Sequence, residues 1–279
     1  TPLYSSAASD VYKRQELLQP GMVTDAVLAD VNQDGTADLI LSYEWGGIDA
    51  FIRKGTGFTR QVITATQGWW NQVLAFDADA DGDTDLLTTN SGLNTKLQPS
   101  PEEPIQMYYG DFDGNGRTEQ VVTYFLQYKQ IPFATKMDLE KQMPSLKKKY
   151  LYAADFATAT LEALFGAAPL AAAKQFQVVE AAHTLWINQG GGRFEASRLP
   201  WTTQINYYRS AAVADINGDQ LPDLILGGNY YDNHVQLGRQ DGDFGTVLLN
   251  KGDGAFEPLP ATGFTKLEQV RHLQPVTVA

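Results

Sequence analysis

The stretch Phe76-Asp77-Ala78-Asp79-Ala80-Asp81-Gly82-Asp83-Thr84-Asp85-Leu86-Leu87 constrains this chain more than any other. Its carboxylates alternate with small residues around one glycine. Turned inward, such side chains repel one another unless a cation lies between them. A hard divalent ion of flexible geometry takes six to eight oxygens, and carboxylates at loop positions 1, 3, 5 and 9 with the carbonyl of position 7 supply most of them. Here those positions are Asp77, Asp79, Asp81, Asp85 and Asp83, with Gly82 at position 6 allowing a sharp turn.

The loop recurs, and a recurring unit governs the fold before any single motif does. A second copy uses Asp30, Asn32, Asp34, Thr36 and Asp38. A third uses Asp111, Asp113, Asn115, Arg117 and Glu119, and a fourth Asp215, Asn217, Asp219, Leu221 and Asp223. In the fourth, Gln220 stands at position 6 where the others have glycine, and this loop ranks as the weakest site. Short apolar runs flank the loops, such as Ala26–Ala29 before and Leu39–Leu41 after, and these read as strands. Position 12 is Leu41, Thr88, Val122 or Leu226, never the bidentate glutamate of a helix-loop-helix calcium site. Each loop is therefore expected to join two strands of a hairpin. Glycine turns ending in phenylalanine recur between them at Lys54–Phe58, Asn188–Phe194 and Asn250–Phe256. Two strands around an acidic loop and two around a glycine turn make a four-stranded antiparallel blade, and stacked blades make a propeller.

On these motifs the chain resembles the FG-GAP/VCBS repeat family, which includes the propellers of integrin α chains and of cartilage acidic protein. The resemblance covers residues 22–135 and 180–260 and is finest for large secreted bacterial VCBS-repeat proteins. It implies an all-β fold, a partial β-propeller of four-stranded calcium-loop blades. It also implies structural Ca2+ in several loops, and a non-catalytic secreted or cell-surface binding or adhesion module with a protein or glycan ligand. The location implied is extracellular, cell-surface or periplasmic. A polysaccharide lyase-like enzyme and a purely structural assembly domain are the alternatives.

Composition supports parts of this picture. The formal charge of −12 disfavours nucleic acid, which needs clustered lysine and arginine. Yet 14 of the 33 acids lie in the four loops, and the remaining 19 nearly balance 21 bases, so the acidity belongs to the loops. Cysteine is absent, which removes disulfides and thiolate chemistry. No apolar run of eighteen residues spans a membrane. Residues 1–15 resemble an adapter-derived leader found on translated environmental fragments and are set apart; the chain is expected to be part of a longer multi-repeat protein. Residues 16–135 are expected to carry blades with loops 1–3, residues 136–180 an α-helical insertion, and residues 181–279 blades with loop 4. In the insertion, Phe156, Thr160, Leu161, Leu164 and Phe165 fall at helical spacing ahead of Gly166.

A filled loop of about 10 μM affinity in about 1 mM calcium adds about 2.7 kcal/mol to the folded state, so the ions read as structural. Paired aromatics at Trp69-Trp70 and Tyr207-Tyr208 precede two loops at one spacing, and with Tyr230, Tyr231 and Trp201 they are candidates for a ligand-facing rim. Packing between blades is the competing explanation. Catalytic residues are not identified: His183, His234 and His272 lie in no catalytic motif, His234 beside Asp232 and Asn233 and near Tyr230 is the most site-like, and a funnel holding His234, Tyr231 and Arg239 would favour the lyase alternative.

Overall fold

The computed structural model describes residues 20–260, 262 and 268–276; the leader-like residues 1–15 lie outside them. The fold is all-β and propeller-like, with a small helical insertion. It divides into two compact units, one ending at Lys96 and resuming at Ala181, the other Leu97–Glu180.

The first unit contains three stacked sheets. Blade 1 is formed by β1 (Val23–Ala29), β2 (Asp38–Lys54) and β3 (Gly57–Trp69). Although β2 is continuous, it folds back on itself. The Arg53 N–H donates to Asp38 Oδ1 at 2.8 Å, whereas fifteen extended residues would span about 50 Å. The reversal is at Trp45, in the left-handed region at φ 61°, followed by two glycines. A Cβ on Gly47 would lie 2.0 Å from the Thr64 carbonyl oxygen, so only glycine fits. Blade 1 thus has the four-stranded course of its neighbours.

Blade 2 is assembled from two distant segments. The strands β4 (Gln72–Phe76) and β5 (Asp85–Thr89) pair with each other, and β5 pairs with β10 (Thr184–Asn188), which pairs with β11 (Phe194–Arg198). Strand alternation sends Leu86 toward blade 1, where it joins Ile40, Ile48, Trp70 and Trp186, and Leu87 toward blade 3, where it joins Tyr208, Leu224 and Leu248. Because both faces are covered, β5 is buried along its whole length, its polar Asp85, Thr88 and Thr89 included. Blade 3 is β12 (Tyr208–Ala214), β13 (Asp223–Gly228), β14 (Thr246–Asn250) and β15 (Phe256–Pro258).

Polar contacts repeat from blade to blade. In this unit the side chain five residues before loops 1 and 2 accepts an inner-strand N–H of the next blade: Val73 N to Asp25 Oδ2 at 3.1 Å, then Ala211 N to Gln72 Oε1 at 2.5 Å. Ser210 follows the same rule, but its donor is Leu273 N at 2.9 Å. The C-terminal segment around Leu273 therefore occupies the place of a further inner strand. The glycine-turn asparagines form a second repeated latch. Asn188 Nδ2 donates to Val31 O and Asn250 Nδ2 to Ala78 O, each reaching position 2 of the acidic loop one blade back.

The second unit has one sheet in the order β8-β7-β6-β9, from β6 (Ile105–Gly110), β7 (Glu119–Leu126), β8 (Lys129–Pro132) and β9 (Lys174–Val178). Five short helices lie between β8 and β9: α1 (Lys136–Gln142), α2 (Ser145–Lys149), α3 (Ala153–Thr158), α4 (Leu161–Phe165) and α5 (Ala167–Ala172). Gly166 ends α4 at φ 85°, its N–H bonded to Glu162 O. The second unit begins at Leu97, ahead of the helices, which start at Lys136. Loop 3 shares a core with the helices, because Tyr108, Phe112 and Val121 pack on Leu139, Leu164 and Phe165. The expected insertion also ends in a strand, β9, which pairs with β6.

Candidate metal centres

All four acidic loops adopt one hydrogen-bonded frame despite their different sequences. The carboxylate at position 1 accepts the N–H of position 6: Gly35 to Asp30, Gly82 to Asp77, Gly116 to Asp111 and Gln220 to Asp215, at 2.8, 3.0, 2.8 and 3.0 Å. The side chain at position 3 accepts the N–H of position 5, as Asn32, Asp79, Asp113 and Asn217 do. Position 5 accepts from position 7, so Thr36, Asp83, Arg117 and Leu221 enter through their backbones. The acid at position 9 accepts the N–H of position 2 and is buried in each case: Asp38, Asp85, Glu119 and Asp223. Three of these four also accept a second N–H from the glycine-turn strand, at Arg53, Asn188 and Asn250.

The frame requires a left-handed residue at position 6 and another at position 4. Position 6 is Gly35, Gly82, Gly116 and Gln220, at φ 81, 93, 79 and 71°. Position 4 is Gln33, Ala80, Gly114 and Gly218, at φ 60, 64, 72 and 81°. A non-glycine there costs about 1–2 kcal/mol. Loops 1, 2 and 4 each bear one such residue, so Gln220 burdens loop 4 no more than Ala80 burdens loop 2.

Charge distinguishes the loops. Oxygens of Asp77, Asp79 and Asp85 lie within 4.8 Å of one another, as do those of Asp111, Asp113 and Glu119. In loop 2, Asp77 Oδ1 and Asp83 Oδ1 are buried with no hydrogen-bond partner. Burial, with repulsion from Asp81 and Asp85, pushes the Asp83 carboxyl up to about 6. Burial and then neighbouring carboxylates also raise Asp79, and burial chiefly raises Asp85. Orphaned, crowded oxygens of this kind fit a hard cation. Loops 1 and 4 relieve themselves internally: Asn32 Nδ2 donates to Asp34 Oδ2 and Asn217 Nδ2 to Asp219 Oδ2, at 3.1 and 2.8 Å. The Asp219 carboxyl is lowered by the Leu221 N–H and then by the Asn217 amide.

The expected aromatic rim divides in two. Trp70 and Tyr208 are fully buried and belong to the core, Trp70 edge-on to Trp186 at 5.9 Å and Tyr208 bonded through its hydroxyl to Thr246. Strand alternation places one member of each pair inside. Their partners Trp69 and Tyr207 are half-buried, Trp69 edge-on to Trp45 and Tyr207 stacked on Tyr230 at 5.2 Å. Trp201 is exposed. Arg239 lies over the Tyr231 ring at 4.1 Å, so its cation faces the ring, and His234 sits on an exposed turn. His183 is buried and neutral: its Nδ1 accepts the Asn90 N–H at 2.8 Å, Nε2 meets Asn206 O at 3.0 Å, and burial lowers it to about 4. It is a structural group, and no motif around it in the sequence marks that role.

Stacked four-stranded blades with a repeated acidic hairpin loop define a propeller-like repeat protein. The FG-GAP-like repeat family matches residues 30–88 and 178–226, and these segments are repeats of that family. Nearly all of the matched residues lie in the three-blade unit, and loop 3 lies outside the match. No curated protein matches the chain. Among the described residues no helix is long and apolar enough to cross a membrane.

Proposed function

We propose that this chain is a non-catalytic binding or adhesion module, extracellular, cell-surface or periplasmic, built on a propeller-like scaffold that Ca2+ stabilises. The observation that carries the calcium reading is the pair of buried, unpartnered oxygens, Asp77 Oδ1 and Asp83 Oδ1, in a loop whose frame recurs four times. Asp77, Asp79, Asp81, Asp83 and Asp85 hold the ion in loop 2, and Asp111, Asp113, Asn115, Glu119 and the backbone of Arg117 in loop 3. Loops 1 and 4, with Asn32 and Asn217 closing on their neighbours, bind more weakly. Bound calcium supplies positive charge that relieves the carboxylate repulsion. The chain's own contribution is to fix the loop ends through the acid at position 9, so that binding tightens a hairpin already tied to its neighbouring strand. A glycan or protein ligand meets the half-buried aromatics Trp69, Tyr207, Tyr230 and Tyr231.

Thermal melts in calcium and in EDTA test the first half of this reading. With two loops filled the melting temperature rises by several degrees or more; identical melts would falsify it. Glycan-array binding of the wild type and of Trp69→Ala tests the second, the variant being expected to lose signal while melting normally.

A further inference from the structure

We propose that a cavity of about 320 Å³, where the inner strands of the three blades converge, binds a small sugar acid through its carboxylate. The proposal rests on reading the chain as a binding module and concerns a place distinct from the acidic loops. Asp25, Gln72 and Ser210 line it from equivalent register positions, five residues before each loop, with Asn71 and Arg209 one residue earlier. Arg271 and His272 complete the lining from the segment that stands in for a further inner strand.

The lining side chains are held by internal hydrogen bonds and keep donors for a ligand. Asn71 is held at both ends, its Oδ1 taking the Tyr207 hydroxyl at 2.7 Å and its Nδ2 donating to Tyr208 O at 3.1 Å. Gln72 Oε1 and Ser210 Oγ each accept a backbone N–H, which fixes these side chains and leaves the Gln72 amide N–H groups and the Ser210 hydroxyl proton to donate to a ligand. Arg209 makes no ion pair among the described residues; its guanidinium is steadied over the Tyr230 ring at 5.3 Å, and Tyr230 rests on Tyr207. Arg271 meets Asp232 only in an exposed pair at 3.2 Å, which is readily exchanged. Among the described residues the one carboxylate lining the cavity is Asp25, whose Oδ2 accepts the Val73 N–H.

In a chain of net charge −12, the described lining of this cavity thus sets two guanidiniums, the Gln72 amide and the Ser210 hydroxyl against a single carboxylate. Guanidinium forks match carboxylates in shape and charge. Asp25 would repel a bare anion but can accept from a hydroxyl, which selects an anion bearing hydroxyl groups. The volume is at the lower end for small-molecule sites, about 300–1,000 Å³, and suits a single sugar unit.

The test is calorimetric titration of the full chain, in saturating calcium, with D-glucuronate, D-glucose and sodium sulfate. Glucuronate is expected to bind, glucose not, and sulfate more weakly than glucuronate. Arg209→Gln and Arg271→Gln should each weaken glucuronate by roughly tenfold or more, as loss of a charge-assisted contact does. Arg271 is exposed, so its variant remains informative if Arg209→Gln fails to fold. Absence of glucuronate binding, equal binding of glucose, or unchanged binding in the folded variants overturns the proposal. None of those outcomes alters the difference between melts in calcium and in EDTA, so the cavity and the calcium scaffold fail independently.

Discussion

Loops 2 and 3 share a backbone frame and a three-carboxylate cluster, but they are covered in different ways. In blade 2, position 2 of the loop is Ala78, sealed by blade 3, with Asn250 bonded to its carbonyl. In the second unit, position 2 is Phe112, sealed by α4, whose Phe165 ring lies 5.3 Å away. The acid at position 9 follows the same division. Asp85 takes N–H groups from Ala78 and from Asn188 in the neighbouring strand β10, whereas Glu119 takes only that of Phe112. The cause is register: β8 pairs with residues 123–126 of β7 and stops short of Glu119. Even the residue five before the loop differs, since Gln72 reaches the next blade while Gln106 bonds Tyr108 and Gln130 within its own sheet. The hairpin is thus a module that needs a cover, and either a blade or a helix can supply it.

The sharpest way to break this comparison is to remove the helical cover. Phe165→Ala, at a buried site, is expected to cost about 3–5 kcal/mol. The loss should stay in the second unit: hydrogen exchange at β6 and β7 accelerates while β5 amides remain protected. Equal acceleration in β5 would show that the two units unfold together.

Acid acts on the other side of the comparison. The only buried histidine, His183, belongs to the three-blade unit, and its folded value of about 4 lies below the usual 6.5. The unfolded chain therefore binds the extra proton between those values. Its contribution, about 3 kcal/mol, is complete above pH 6.5 and lost as pH falls toward 4. Denaturant melts in saturating calcium should show this slope, and His183→Gln should flatten it. A slope that survives the substitution would assign the acid sensitivity elsewhere.

The latch between blades comes next in size. Asn188→Ala strands the carbonyls of Val31 and Thr84, and about 2–3 kcal/mol should disappear from the three-blade unit. Exchange in the helix-covered hairpin is expected to stay unchanged.

How far the sequence reveals these features depends on whether a residue's role is local. The loops are legible because alternating carboxylates and a glycine carry their own geometry. The hairpin reading follows from the apolar runs on either side. The partners of Asn188 and Asn250 are not legible, since the receiving carbonyls lie 157 and 172 residues away. The pairs Trp69-Trp70 and Tyr207-Tyr208 mark a shared place in the blade, but only the strand's orientation decides that Trp70 and Tyr208 face inward. The boundary at residue 97 is hidden for a similar reason: β6 and β7 look like any other loop hairpin, and what covers Phe112 is supplied some fifty residues later, at Phe165.

The smallest effect bears on the loops themselves, where position 6 attracts attention and position 4 does not. Gln220 and Ala80 are each the single non-glycine left-handed residue of their loop, at φ 71 and 64°. Replacing either with glycine relieves the crowding of its Cβ but adds freedom to the unfolded chain, and the two terms leave a net gain of about 0.5–1 kcal/mol. Gln220→Gly and Ala80→Gly should therefore stabilise to a similar extent in EDTA, where loop conformation is read without the ion. Calcium should then add more to Ala80→Gly than to Gln220→Gly, because Asp77, Asp79 and Asp85 converge while Asn217 already satisfies Asp219. A gain for Gln220→Gly alone would mean that position 6 carries the strain and that loop 4 is weak for its backbone; equal gains with unequal calcium responses would place its weakness in the charge of its side chains.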